Sequence, residues 1–117
     1  MIRAGLPAAG YADDYAVTLT DAYFDGDVWK IWEFGRFDAL ANSGLPEAEV
    51  DRQMTLAQTR LMDDRNRAWI DPLTRGAAEA ASGGQSIVAA FGALHLPGEA
   101  GVLALLEAEG FAIRRMD

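Results

Sequence analysis

The sequence contains no cysteine, which excludes disulfides, thiolate nucleophiles and zinc–thiolate sites. It has one histidine, His95, and one lysine, Lys30, against nine arginines. No apolar run approaches the roughly 20 residues that a membrane-spanning helix needs. The opening residues, Met1-Ile2-Arg3-Ala4-Gly5, do not resemble a secretory signal. Positive charge is also scarce. The net charge is −8, and residues 1–50 carry nine acids against three bases, whereas residues 51–117 carry nine against seven. An acidic front half disfavours nucleic acid as a partner, because phosphates require a basic patch. It likewise argues against an anionic membrane surface. Its simplest role is solubility.

What is present is a chain of 117 residues, half of them hydrophobic and 24% charged. That composition is not that of a disordered segment. The length suits one domain or a piece of one, with a modest core.

Residues 1–10 hold Gly5, Pro7 and Gly10 and read as an irregular lead-in. From Tyr11 onward, Tyr15, Leu19, Ala22 and Tyr23 recur at helical spacing. Gly26 ends that helix, and Asp25 or Asp27 offers a cap to the next. The second helix, about Val28 to Ala41, carries Trp29, Ile31, Trp32, Phe34, Phe37 and Leu40. These wrap too much of its circumference for one stripe, which predicts burial on more than one side.

After the turn Asn42-Ser43-Gly44, Pro46 suits a first helical position, with Glu47 and Glu49 near the positive helix end. The third helix is predicted to reach about Ile70, with Val50, Met54, Ala57, Leu61 and Ala68 on one face. Asp71-Pro72 then interrupts it, since proline removes a donor and disfavours a helical predecessor. A short helix to Ala81 follows, stopping at Ser82-Gly83-Gly84, with Pro72 either its start or a kink in one longer helix. Ser86 to Phe91 is a continuous apolar run of strand length, as in a strand covered on both faces. A loop over Gly92 to Pro97, a helix over Glu99 to Glu109 closed by Gly110, and a second strand at Phe111-Ala112-Ile113 follow. Strand, helix, strand predicts a right-handed βαβ unit and an α/β fold overall, with three to four helices preceding it.

Three side chains stand out as chemistry. His95 lies just past the first predicted strand, where open α/β sheets place their ligands. It reads either as a hydrogen-bonded structural histidine or as a neutral metal ligand, of which three or four are usual. Gly92 allows close backbone approach there, and Gly98 with Pro97 shapes the entry to a helix whose free N–H groups could hold an anion. Arg65 follows Leu61 and precedes Trp69 at four-residue spacing, on or beside the apolar stripe. Its guanidinium either pairs internally or stacks on Trp69, or it clamps a substrate carboxylate or developing oxyanion. Asn66 is either exposed or reaches the same site.

Phe91-Gly92-Ala93-Leu94-His95-Leu96-Pro97-Gly98-Glu99, followed by Gly101-Val102-Leu103-Ala104-Leu105-Leu106, closely resembles the signature near the end of TraB/GumN family proteins. Asp64-Arg65-Asn66-Arg67-Ala68-Trp69 is similar to that family's Arg-Asn helix, and Ala22-Tyr23-Phe24-Asp25-Gly26-Asp27 to the helix break before it. The match runs over most of Tyr11 to Ile113. The resemblance implies the carboxy-terminal half of an α/β fold that carries two Gly-x-x-His motifs. In the Tiki branch of the superfamily that fold is associated with divalent-metal-dependent peptide cleavage.

Carried over, Gly92 and His95 match the second Gly-x-x-His motif, with His95 a metal ligand. Arg65 and Asn66 match the Arg-Asn motif, and Glu99 a position usually acidic. There is no second histidine to form the first motif, so one chain is expected to hold only part of the metal site. A homodimer, a domain-swapped assembly or a missing front half would complete it. The implied activity is that of a peptidase-like hydrolase, inactive as the isolated chain. The alternative is a non-catalytic module binding haem or a peptide. Many relatives carry export signals, which implies a periplasmic or envelope-associated parent.

Overall fold

The computed structural model describes residues 9–116, and most of the predicted lead-in lies outside them. The described residues form helices α1 (Ala9–Phe24), α2 (Trp29–Asn42), α3 (Glu47–Gln58), α4 (Asp64–Ser82) and α5 (Val102–Ala108). A π turn, Thr59–Asp63, precedes α4, and a short 3₁₀ turn, Ala93–His95, precedes α5. The chain divides into two compact units, residues 1–56 and 57–117, the division falling within α3.

In the first unit, α1 ends where Gly26 was expected to stop it, closed by an Asp27 N–H to Ala22 carbonyl bond of 3.0 Å. Neither aspartate caps α2 through its side chain; Asp27 instead pairs with Lys30 at 3.3 Å. Tyr15 of α1 meets Phe34 of α2 edge to face at 4.9 Å. Arg36 of α2 donates to Asp51 of α3 from its Nε at 2.9 Å. The Glu49 carboxyl is held below the usual glutamate range by hydrogen bonds from Arg52 and then Gln53. A lowered carboxyl stabilises above its ordinary range and loses that contribution as acid titrates it; exposure keeps the effect small.

The prediction that α2 is buried on more than one side is overturned. None of its residues is buried, and Phe37 is 60% exposed. Local aromatic pairs, Trp29 with Trp32 and Phe34 with Phe37, cover one another without enclosing the helix.

In the second unit the α/β prediction is overturned as well. No strand forms among the described residues, so the βαβ unit is absent and the fold is helical. Residues 86–91 and 111–113 have the composition of strands, but a strand exists only as a ladder between neighbours. The backbone hydrogen bond these segments make outside themselves among the described residues runs from the Phe111 N–H to the Leu106 carbonyl of α5 at 3.1 Å, which closes a helix end and builds no ladder. Alternation survives without pairing: Ile87, Ala89 and Phe91 line an apolar groove, while Val88 between them is 99% exposed.

Of the two readings of Pro72, a new helix start is ruled out, because α4 runs through it from Asp64 to Ser82. Ala68, whose carbonyl loses its donor to the proline ring, is exposed, as is Pro72, so the orphaned group lies within reach of solvent. Replacing Pro72 by alanine restores that bond and is expected to stabilise the protein by about 1–2 kcal/mol. Thermal unfolding followed by circular dichroism measures this; an unchanged midpoint would mean that α4 has fully relaxed around the ring.

The π turn changes which residues of α4 face inward. Spacing from the preceding helix placed Leu61, and with it Arg65 and Trp69, on or beside the apolar stripe. A π turn accommodates one extra residue, which displaces the side chains after it by about 100° relative to a regular helix. The buried line is therefore Met62, Asn66 and Ile70, while Leu61, Arg65 and Ala68 are exposed. The last helix is also shorter than predicted. It begins at Val102, which is fully buried, and leaves Glu99 on the preceding turn.

Candidate functional site

The π turn and the loop from Gly92 to Gly101 together build the candidate site in the second unit. Asn66, on the inward line of α4, is 2% exposed. Its amide nitrogen donates to the Ala100 carbonyl at 2.8 Å, and its oxygen lies 2.7 Å from His95 Nδ1, in hydrogen-bond contact. One buried amide thus ties the histidine to the turn that follows it. No buried side-chain nitrogen or oxygen among the described residues lacks a partner.

Trp69 forms the apolar side of the site. Its ring centroid is 4.9 Å from that of His95 and 5.1 Å from that of Phe91. The guanidinium carbon of Arg65 lies 5.4 Å from the same indole, within range of a cation–π contact. Arg65 is exposed and forms no ion pair among the described residues; neighbouring Asp64 turns to Arg67 at 3.8 Å. Its five donors are therefore open to an anion. Because that charge is not buried, Arg65→Ala is expected to cost less than about 1 kcal/mol. A urea midpoint shifted much further would show that the guanidinium supports the fold.

The structure thus brings Arg65, Asn66 and His95 together around Trp69. It does not bring Glu99 to them: that side chain is exposed on the turn and bonds to none of the three. The helix start that could hold an anion is displaced from Glu99 to Val102, and the Leu103 N–H there is turned to the Leu96 carbonyl at 3.4 Å.

The two motif glycines differ in what they do. Gly92 accepts a hydrogen bond from the His95 N–H at 2.9 Å and has an ordinary negative φ. A methyl group added there would meet His95 Cδ2 at 3.6 Å, an ordinary contact. Gly98, with φ of 89°, needs the left-handed freedom that glycine provides.

Sequence reasoning quoted Gly101 within the signature but gave it no role, although its added Cβ would fall far inside contact with the carbonyl oxygens of Leu96 and Pro97. Its only local signal was a second glycine three residues after Gly98. Trp69 entered the sequence reading as a partner for Arg65 alone; its contact with His95 depends on a loop 26 residues away.

The donor set for a divalent ion is incomplete. With Nδ1 engaged by Asn66, His95 offers one nitrogen, and no group of three His, Asp or Glu side chains among the described residues could hold an ion. Nor is any described helix long and apolar enough to cross a membrane.

A profile of the TraB/PrgY/gumN family matches residues 1–115. Comparison with curated proteins and with solved structures returned no match.

Proposed function

The chain belongs to the TraB/PrgY/gumN family, and from that premise we propose that it contributes one half-site of a peptidase-like hydrolase. The supporting observation is the buried Asn66 that holds His95 at 2.7 Å beside the tilted ring of Trp69. A ring held this way presents one nitrogen, Nε2, in a set direction. Ligating and catalytic histidines are held in the same manner, by a partner on the opposite nitrogen. Arg65, exposed against Trp69, is placed to steady negative charge developing on a substrate carbonyl oxygen.

The family's divalent ion would need at least two further ligands. The residues described here do not fit one by themselves. The reading therefore requires donors from a further segment of the protein or from a second copy of this chain. By itself the chain is expected to be inactive.

Zinc titration of ¹⁵N-labelled protein tests the proposal, because the single histidine gives one unambiguous pair of ring nitrogens. Zinc is expected to perturb Nε2 of His95 selectively. If saturating zinc leaves the ring resonances where they were, His95 is not a metal ligand and the hydrolase reading loses its centre.

A second reading, a non-catalytic module for an apolar peptide, draws support from the groove of about 290 Å³ bordered by Leu73, Ile87, Phe91, Leu103 and Phe111. Haem fits this reading less well, since His95 does not line that groove. An apolar peptide that shifted Ile87 and Phe111 while leaving His95 unmoved would favour the module over the half-site.

A further inference from the structure

We propose that Asn66 is a positioning residue that fixes the proton of the neutral His95 ring on Nδ1, making Nε2 the nitrogen with the free lone pair. The inference deepens the half-site reading, because it states which nitrogen is available to a metal or a proton.

The argument is a count of donors and acceptors. A carboxamide has one acceptor oxygen and one NH₂ donor. The Ala100 carbonyl can only accept, so the Asn66 group 2.8 Å from it is the NH₂. That assignment leaves the amide oxygen at 2.7 Å from His95 Nδ1. An oxygen without a hydrogen can only accept, so Nδ1 must donate, and in a neutral imidazole Nε2 is then bare.

The opposite amide orientation would set two oxygens against each other at Ala100. Asn66 is only 2% exposed, so water has no access to repair that clash. An unmade bond at a buried polar group is costly enough for one orientation to dominate. The Trp69 ring, tilted 58° to the imidazole with centroids 4.9 Å apart, supplies no competing acceptor for Nδ1.

The proton's position is directly observable. Long-range ¹H–¹⁵N correlation on the neutral ring distinguishes a protonated from an unprotonated ring nitrogen. The wild-type protein is expected to show a pyrrole-type Nδ1 and an imine-type Nε2. Asn66→Ala removes the acceptor, and the ring is expected to shift toward the Nε2–H form that a free histidine side chain favours in water. Asn66→Asp keeps an oxygen opposite Nδ1 and is expected to retain the Nδ1–H form, although it loses the bond to Ala100. A purely structural role for Asn66 would not produce this pattern.

A wild-type ring with its proton on Nε2 overturns the proposal, and that measurement needs no variant to fold. A ring protonated on Nδ1 but indifferent to zinc would remove the metal half-site while leaving the role of Asn66 standing.

Discussion

Gly101→Ala is expected to destabilise the protein by about 3 kcal/mol, at the upper end of what overpacking usually costs. The backbone at Gly101, φ −72° and ψ 155°, is open to any residue, so the penalty is not torsional. It is steric: the new Cβ would overlap the carbonyl oxygens of Leu96 and Pro97 and lie 2.6 Å from the Pro97 carbonyl carbon. Main-chain atoms cannot swing aside as a flexible side-chain end can. Relief must come from moving the loop that follows His95, away from the Leu103 N–H to Leu96 carbonyl contact at 3.4 Å.

Native domains are stable by about 5–15 kcal/mol, so a loss of this size lowers the urea midpoint plainly. Gly76→Ala provides the control. Its Cβ would sit 3.7 Å from Ile87 Cδ1, an ordinary contact, within α4. There the change is expected to stabilise by about 0.5–1 kcal/mol, because alanine favours the helix. If the two variants unfold together, the close approach at Gly101 is not real.

Asn66→Ala is expected to cost about 2–4 kcal/mol, more than its neighbour Arg65→Ala by a wide margin. Removing the amide orphans the Ala100 carbonyl and the His95 ring nitrogen at once, both beside a side chain only 2% exposed. Each abandoned partner carries a desolvation penalty, and the vacated volume adds a cavity cost. Asn66→Leu refills the volume without the bonds and separates the two contributions. Amide hydrogen exchange across residues 93–106 should quicken most. A loss under about 1 kcal/mol for Asn66→Ala would mean that the bridge is not made in solution. The contrast between adjacent residues is the informative part, since the sequence reading assigned the possible burial to Arg65.

That inversion shows how far the residues alone could be read. Arg65, Asn66 and His95 were singled out as the chemistry-bearing residues, and the structure brings them together around Trp69. Their relative burial was not legible. It turns on the π turn at Thr59–Asp63, and nothing in Thr-Arg-Leu-Met-Asp distinguishes a wide turn from a regular one. The role of Gly101 escaped notice for a similar reason, because the carbonyls that residue approaches are defined only by the path of the folded loop.

The positions of the helices were set locally. Apolar spacing over Tyr15, Leu19 and Ala22, the stop at Gly26, and Pro46 with Glu47 and Glu49 near the start of α3 each act within a turn or two of chain. Neighbouring residues decide such choices because backbone dihedrals and end caps are short-range properties. Pairing and burial are long-range. Ser86 to Phe91 has the composition of an interior strand, yet without a neighbour to share hydrogen bonds it forms none. The aromatics of α2 have the pattern of an enclosed helix, yet no surrounding layer encloses them. The sequence by itself determined where α1, α2 and α3 begin and which residues to examine for chemistry, but not that α4 runs through Pro72 or that α5 starts at Val102. Only the tertiary structure decided which of those residues lie inside, because burial belongs to contacts between segments distant along the chain.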